Sequence, residues 1–191
     1  NPKGVIIEHR SVVNLIDNYA RTYSICEEDI ILQTTDYCFD PSVQQVFGAL
    51  TNGSKLCCVR KEVLMDRVRF KEYVIKNYVN IIDLTPALLE NLICNSEKID
   101  GIEVILCGGD RLTNSLKQKL ISKGYKLYNH YGPTEFTIDA ITYQCDNSTN
   151  LNIVGKPISN TKIYILDQLG KIVPIGVAGE ICISGDGLAR G

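Results

Sequence analysis

The sequence predicts an α/β fold, a mostly parallel sheet with covering helices, followed by the start of a β-rich lobe. Two observations support this prediction. Short runs of apolar or β-branched residues alternate with helical patterns up to about residue 154, an order typical of parallel sheets. From residue 155 onward, short strand-like runs are joined by turns, without helical patterns. We therefore expect an α/β subdomain over 1–154 and a β-rich subdomain over 155–191.

The strands are predicted from short runs rich in apolar or β-branched residues. In the α/β subdomain these runs are 30–35, 55–60, 80–84, 104–109 and 126–129. In the β-rich subdomain they are 161–167 and 179–185. The first helix is predicted over 11–23, where the side chains on one helical face are Val12, Leu15, Ile16, Tyr19 and Tyr23.

Two more helices are predicted where an N-cap residue precedes a proline. Asp40 precedes Pro41, and Thr85 precedes Pro86. Proline is favoured at the first helical position because its missing N–H would have no partner there. A further helix is predicted over 113–124, which opens on threonine and ends on glycine.

The composition excludes several classes of function. The net charge is −2 and no block of basic residues occurs, so we expect no extended contact with nucleic acid or with an acidic membrane. No apolar run approaches the ~20 residues of a membrane span. The eight cysteines form no CxxC pair and no Cys/His cluster. We interpret them as reduced core thiols of a cytoplasmic protein rather than as disulfides or a zinc site.

Four polar segments follow predicted strands, at 36–40, 83–86, 108–111 and 129–135. They are far apart in the sequence, but ligands bind at the carboxyl ends of the strands in open α/β sheets. We therefore expect these segments to share one rim of the sheet and to form the ligand site there.

The segment NHYGPTEF, at 129–136, carries the densest set of chemical groups. Tyr131 could stack on a purine, and Asn129 could hydrogen-bond the purine edge. Thr134 could donate to a phosphate oxygen, and Glu135 could ligate Mg²⁺, which favours carboxylates together with substrate phosphates. The alternative is a polar turn, in which Gly132 and the following proline are simply turn residues.

Two weaker patterns accompany this segment. Gly108 and Gly109 let a ligand approach the backbone closely, or they only form a strand-to-helix turn. Lys3, in NPKG, can hold a phosphate as a point charge, although an ordinary surface lysine is the more common role.

Four stretches together resemble the signatures of adenylate-forming enzymes, in the order that this superfamily shows. They are NPKG at 1–4, FDPS at 39–42, NHYGPTE at 129–135 and GEICISGDGLARG at 179–191. The combination of FDPS with NHYGPTE is most similar to the amino-acid adenylation domains of nonribosomal peptide synthetases. The resemblance covers 1–191 and implies that the α/β subdomain is part of the N-terminal core of such an enzyme.

This resemblance implies a site for ATP or AMP. Its cofactor-binding residues would be Gly109, Asp110, Arg111, Asn129, Tyr131, Gly132 and Thr134. Glu135 would bind Mg²⁺, and Lys3 of the phosphate loop would complete the catalytic set with Thr134 and Glu135. The implied partners are condensation domains and carrier domains of the same synthetase, the latter bearing phosphopantetheine.

The resemblance also implies an amino-acid pocket in which Asp40 pairs with the α-ammonium group. The pocket would be lined by Asp40, Pro41, Gln44, Asp83, Leu106, Gly108, His130, Ile138 and Asp139. Its polar members favour a polar substrate side chain, because unpaired buried polar groups are costly. We expect glutamine, whose amide can donate to the aspartates and accept from Gln44 or His130. Arginine or ornithine, and glutamate, are the alternatives.

The sequence also lacks parts of the family pattern. It lacks the body of the phosphate loop, the ribose-binding Tyr/Gly/Asp segment and the lysine-bearing C-terminal lobe, so we expect these 191 residues alone to be inactive. Two other functions remain open. One is an acyl- or aryl-CoA ligase of the same superfamily, which Asp40 disfavours because such acids have no ammonium group. The other is a non-catalytic α/β interaction module.

Overall fold

The computed structural model describes residues 4–95, 97–147 and 153–191. Within these ranges the large sheet contains β1 (Ile30–Gln33), β2 (Lys55–Cys58), β3 (Ile81–Leu84), β4 (Val104–Cys107), β5 (Lys126–Tyr131), β6 (Ile141–Gln144) and β7 (Lys156–Pro157). A small sheet contains β8 (Thr161–Leu166) and β9 (Glu180–Gly185). The α-helices are α1 (His9–Tyr23), α2 (Pro41–Leu50), α3 (Lys61–Leu64), α4 (Arg67–Lys76), α5 (Pro86–Leu89) and α6 (Asn114–Ser122). A π-helical turn, Glu90–Cys94, follows α5, and a 3₁₀ turn spans Thr134–Phe136.

The large sheet has the strand order β2-β1-β3-β4-β5-β6-β7. Strands β1 to β5 are parallel, whereas β6 and β7 are added antiparallel. Strands β8 and β9 pair antiparallel with each other. The predicted fold class is confirmed, since a mostly parallel sheet with helices is followed by a small antiparallel sheet. The parallel strands all point the same way, so their carboxyl ends lie along one edge of the sheet.

Alternate residues of the parallel strands face two separate apolar layers. On one face, Ile31, Ile81 and Leu106 pack with Tyr19 and Tyr23 of α1. The other face forms the larger layer, which includes Leu32, Ile82, Ile105, Leu127, Phe70, Leu92 and Leu116. Parallel strands are usually covered on both faces in this way, and their ends are then positioned by rigid packing.

The structure contains elements that the sequence pattern does not predict: α3, α4, β6 and β7. Helix α4 buries Phe70 and Val74, which are too few apolar positions to show a helical period. Its start is instead set by Asp66, whose side chain accepts from the two amides at 68 and 69. Strand β7 lies after residue 155 but pairs with β6, so the large sheet extends into this part of the chain.

All eight cysteines are free thiols. Three of them are buried, but Cys26, Cys38 and Cys58 are exposed, so the prediction of core thiols is wrong for these three. No group of three or more His, Cys, Asp or Glu side chains among the described residues could hold a metal ion. No helix in the described ranges combines the length and the apolar character needed to cross a membrane.

Candidate functional site

The strand order of the large sheet reverses between β1 and β3. Strand β2, which follows β1 in the chain, lies on one side of β1, and β3 lies on the other side. In doubly wound sheets, ligands bind in the crevice outside the carboxyl ends of the strands at such a point. A cavity of about 670 Å³ lies there, within the usual size range for small-molecule sites. It is termed the acidic cavity here because Asp36, Asp40, Asp83 and Asp139 line it.

The acidic cavity brings together eight of the nine predicted pocket residues: Asp40, Pro41, Gln44, Asp83, Gly108, His130, Ile138 and Asp139. Leu106 does not join them, because its side chain is fully buried in the apolar layer with Tyr19 and Tyr23. Thr34 and Thr35 also line the cavity. The sequence does not indicate these threonines as site residues, since they continue an apolar strand run.

A second cavity of about 420 Å³ adjoins the first. It is termed the tyrosine-lined cavity because Tyr131 and Tyr143 line it. Gly109, His130 and Gly132 line both cavities, so the two are adjacent chambers at one rim of the sheet. The tyrosine-lined cavity contains six of the seven predicted cofactor-binding residues: Gly109, Asp110, Arg111, Asn129, Tyr131 and Gly132.

The remaining predicted residues lie elsewhere. Thr134 lines the acidic cavity instead of the tyrosine-lined one. Glu135 is exposed and lies in the lining of neither cavity. Its backbone carbonyl accepts from the amide of Ala189 at 2.8 Å, so the YGPTE and GLARG motifs meet in the folded chain. Lys3 lies outside the described residues.

Asp40 precedes α2 but does not cap it with its side chain. Its backbone is already helical, with φ −57° and ψ −34°, and its side chain makes no capping hydrogen bond. A capping residue typically has an extended backbone, as Asp66 has at φ −127° and ψ 112° before α4. The prediction that Asp40 caps α2 is therefore wrong for its side chain, which lines the acidic cavity instead.

His130 lies in β5 between a carboxylate and a tyrosine. Its Nδ1 is 2.8 Å from Asp139 Oδ2, and its Nε2 is 2.7 Å from Tyr23 Oη. The Tyr23 hydroxyl is also 3.2 Å from Thr142 Oγ1. Burial by itself would lower the pKa of His130, but the hydrogen-bonded Asp139 carboxylate, helped by Asp83, raises that pKa above its ordinary value. His130 and Asp139 therefore form a buried, hydrogen-bonded pair at the cavity, in which the Asp139 carboxylate favours the imidazolium form of His130.

Asp83 lies in β3 with its carboxyl group enclosed at the cavity. Burial raises the pKa of this carboxyl to about 6; His130 partly offsets the increase and Asp139 adds to it. Low-dielectric surroundings disfavour the charged form of an acid, which is why burial dominates here. Asp83 is thus a carboxylate that ionises at the expense of folding stability.

Gln45 on α2 connects the strand ends at the floor of this site. It is 1% exposed. Its side-chain carbonyl accepts from the amides of Thr34 and Thr35 at 3.0 and 3.1 Å. Its amide nitrogen donates to the two threonine hydroxyls and lies 3.5 Å from Asp83 Oδ2. These bonds hold the ends of β1 and β3 together at the acidic cavity.

The loop between β5 and β6 is held in a strained conformation. Thr137 and Ile138 have positive φ angles of 56° and 73°, which β-branched residues rarely adopt. Gly132 passes so close to this loop that a Cβ on it would lie 2.1 Å from Ile138 O. The Thr137 hydroxyl donates to the Gly187 carbonyl at 2.7 Å. These contacts hold Ile138 and Asp139 at the acidic cavity, and such strain is commonly found at functional sites.

The two adjoining cavities are built from segments spread over most of the chain. The family model described as "AMP-binding enzyme" matches residues 1–191, which is the full length of the sequence. The chain belongs to the AMP-binding enzyme family.

Relatives of this AMP-binding chain are much longer proteins. Gramicidin S synthase 2 of Brevibacillus brevis is 38% identical over 196 residues, covering 100% of this chain and 4% of the relative. Surfactin synthase subunit 1 of Bacillus subtilis (strain 168) is 36% identical over 199 residues, covering 100% of this chain and 5% of the relative. The crystal structure of a four-domain nonribosomal peptide synthetase bound to AMP and glycine matches with a TM-score of 0.92 and 34% identity. That match covers 99% of this chain and 14% of the other.

Several residues at or beside the two cavities of this chain are not recognisable as site residues from the sequence. Tyr23 looks like part of the apolar face of α1, and Gln45 like an ordinary polar residue of α2. Lys117 and Cys145 line the tyrosine-lined cavity from α6 and from the segment after β6. All four lie outside the recognisable motifs, so only the folded chain assigns them to the site.

In this AMP-binding chain, Asp83→Asn should raise the free energy of unfolding by about 2 kcal/mol at neutral pH. The folded-state pKa of about 6 exceeds the ordinary value of 3.8, so ionisation of Asp83 costs more in the folded state. This cost is absent below the ordinary pKa, grows as the pH rises towards the folded-state pKa and is complete above it. Urea unfolding at about pH 4 and about pH 7 measures the difference. An equal change in the free energy of unfolding at both pH values would contradict the raised pKa of Asp83.

Proposed function

We propose that this chain forms part of an adenylation domain that activates an amino acid with ATP in nonribosomal peptide synthesis. An oxygen of the amino-acid carboxylate bonds to the α-phosphorus of ATP, the bond to the β-phosphate oxygen breaks, and pyrophosphate leaves. The aminoacyl group then passes from AMP to the thiol of phosphopantetheine on a carrier domain. Membership of the AMP-binding family supports the proposal, as do relatives named as gramicidin S and surfactin synthases.

The observation that carries the proposal is the Asp40 carboxylate at the acidic cavity. Asp40 stands at the start of α2 without capping it, so its carboxylate is available to a ligand. No lysine or arginine occurs among the described residues that line this cavity. The α-ammonium group of an amino acid is a cation that can pair with this carboxylate. The adjoining tyrosine-lined cavity is then available to bind ATP next to the amino acid.

The tyrosine-lined cavity has groups suited to adenine. Tyr131 is 41% exposed, and its ring can stack on the base. The Asn129 amide nitrogen donates to the Ile153 carbonyl at 3.2 Å, which leaves the amide oxygen as an acceptor for the exocyclic amine. Gly109, with φ 78°, lets the backbone of 109–111 approach the base closely.

The phosphates and Mg²⁺ are assigned to the residues after β5. Glu135 supplies one exposed carboxylate, which fits Mg²⁺ because this ion is usually held by one or two carboxylates plus substrate phosphates. Thr134 is assigned to a phosphate oxygen, and Lys3 to the phosphate loop. Bound Mg²⁺ would offset the repulsion between the two anions that must approach in line.

We assign glutamine as the preferred amino acid. His130 and Asp139 are paired with each other, so Asp83 is the carboxylate left to bind the substrate side chain. A glutamine amide can donate to Asp83 and accept from Gln44, which is 1% exposed and lines the cavity. Glutamate would place a second carboxylate beside Asp83 with no unpaired cation to offset it. Arginine or ornithine would pair with Asp83 directly and are the main competitors.

The proposal also implies partners and a location. The partners are the carrier and condensation domains of a synthetase. The location is the cytoplasm, where ATP is present and thiols remain reduced.

An ATP–pyrophosphate exchange screen of the full-length protein against the common amino acids tests this function. We expect exchange with polar amino acids, with glutamine at least about tenfold faster than apolar or aromatic ones. Preference for a fatty or aryl acid would favour a CoA ligase, and no exchange with any acid would favour a non-catalytic interaction module. Preference for an apolar or aromatic amino acid would contradict the pocket assignment. Preference for arginine would contradict only the choice of glutamine.

A further inference from the structure

Tyr23 lies on α1 outside the acidic cavity and contacts His130, which lines it. Tyr23 is 8% exposed. Its ring stacks on the His130 ring, with centroids 5.5 Å apart and planes inclined by 14°. Its hydroxyl lies 2.7 Å from His130 Nε2 and 3.2 Å from Thr142 Oγ1. The hydroxyl therefore connects His130, which lines the cavity, to Thr142, which does not.

This hydroxyl completes the hydrogen bonds of a charged His130. An imidazolium carries an N–H donor on each ring nitrogen, and a buried donor without a partner is costly. Asp139 is the acceptor at Nδ1, and Tyr23 is the acceptor at Nε2. The Tyr23 hydroxyl then donates its own proton to Thr142. Both N–H groups of the imidazolium and the Tyr23 O–H then have an acceptor, which stabilises the imidazolium beside the Asp139 carboxylate.

The state of His130 sets the charge at this end of the cavity. The titratable groups that face His130 are Asp139, Asp83 from β3 and Tyr23 from α1. The other cavity aspartates belong to the loop 36–40, and the described lining includes no lysine or arginine. A charged His130 cancels Asp139 and leaves Asp83 as the uncompensated carboxylate. A neutral His130 leaves two carboxylates uncompensated.

We propose that Tyr23 is a specificity-determining positioning residue, which keeps His130 charged against Asp139 so that the pocket selects a carboxamide side chain over a cationic one. The inference rests on the proposed adenylation function. A carboxamide can satisfy one carboxylate by donating to it, whereas an ammonium or guanidinium group gains from each additional carboxylate. Selectivity therefore depends on the number of uncompensated charges, which Tyr23 controls from outside the cavity.

Tyr23→Phe removes the acceptor at His130 Nε2 and keeps the stacked ring. The buried imidazolium then has an N–H without a partner, so the neutral form, with its single N–H directed at Asp139, becomes favoured. The cavity gains one net negative charge. We expect the ratio of kcat/KM for glutamine to kcat/KM for ornithine to fall about tenfold near neutral pH.

The pH profile of this ratio distinguishes a change of charge from a loss of packing. In the wild type, the ratio should fall as the pH rises through the pKa of His130, since the imidazolium is lost. In Tyr23→Phe the same fall should occur at lower pH, so its ratio should already be low at about pH 7 and change little as the pH rises further. Pyrophosphate exchange by the full-length protein, followed upward from about pH 7 where Asp83 stays ionised, measures both profiles. Adding Asp139→Asn to Tyr23→Phe removes the extra charge and should restore the preference for glutamine.

Tyr19→Phe is the matched control. The Tyr19 ring centroid is 5.0 Å from that of Tyr23, and its buried hydroxyl has no hydrogen-bond partner among the described residues. We expect its ratio and pH profile to match the wild type. The inference is overturned if Tyr23→Phe keeps the wild-type ratio, if Tyr19→Phe changes it equally, or if Asp139→Asn restores nothing. A wild-type protein without amino-acid-dependent exchange would instead contradict the proposed function.

Discussion

Gly132→Ala should lower the free energy of unfolding by about 3 kcal/mol or more and abolish amino-acid activation. The added Cβ would lie 2.1 Å from Ile138 O, 2.7 Å from Asp139 Cα and 2.8 Å from Ala140 N. All three are backbone atoms, so rotation of a side chain cannot relieve the overlap. Relief requires the loop between β5 and β6 to move, and this displaces Ile138 and Asp139 from the acidic cavity.

Gly4→Ala is the matched control, because its added Cβ has no atom within 4 Å and its backbone is not left-handed. Its free energy of unfolding should stay within about 0.5 kcal/mol of the wild type. Gly4→Ala is a control for stability only, because Gly4 belongs to the NPKG stretch that is assigned to the phosphate loop. Urea unfolding measures both variants, and pyrophosphate exchange measures the activity of Gly132→Ala. Wild-type unfolding of Gly132→Ala would mean that the loop accommodates a side chain, contrary to the close approach in the structure.

Asp40→Ala should reduce kcat/KM for the amino acid by about 10²–10³-fold in the full-length protein while leaving folding almost unchanged. The substrate ammonium would be buried without its partner, and breaking a buried charge pair in this way typically costs about 3–5 kcal/mol. Folding should be insensitive to the change because Asp40 makes no capping hydrogen bond to α2.

Asp66→Ala is the matched control, because it should reduce stability and leave activity unchanged, the reverse of Asp40→Ala. Asp66 caps α4 through bonds of 2.9 and 3.1 Å from the amides of Val68 and Arg69, and it is not in the lining of either cavity. Its loss should reduce the free energy of unfolding by about 1 kcal/mol and leave exchange unchanged. If Asp40→Ala instead lost stability and kept its exchange rate, the carboxylate would be structural and the proposed amino-acid site would be wrong.

The elements with a strong local pattern could be predicted from the sequence. Strands β1 to β5 each contain a short apolar run because side chains on both faces of the sheet are packed, and α1 shows its buried face as a clear helical period. Because parallel strands run in the same direction, the hydrophilic segments that follow them were predicted to lie at one rim of the sheet. The structure brings residues from each of the segments 36–40, 83–86, 108–111 and 129–135 to the two cavities at that rim, although Glu135 lines neither cavity.

Elements with a weak pattern could not be predicted. Helix α4 buries only Phe70 and Val74 while Val68 and Ile75 are exposed, so its apolar residues do not mark one face. Strand β7 has two residues, both exposed. Asp40 was predicted to cap α2 from its place before Pro41. This prediction was wrong, because the backbone of Asp40 is already helical and its side chain makes no capping hydrogen bond. The roles of the cavity residues in binding and catalysis remain predictions for the experiments above.

By itself, the sequence determined the α/β architecture and the residues that stand at the strand ends, since both follow from local periodicity and strand direction. Only the tertiary structure decided how the buried polar groups pair. Tyr23 and His130 are 107 positions apart, and nothing local separates Asp139, which is paired with His130, from Asp83, whose pKa rises to about 6. Burial and neighbouring charge control which groups are ionised, and the folded chain alone determines both.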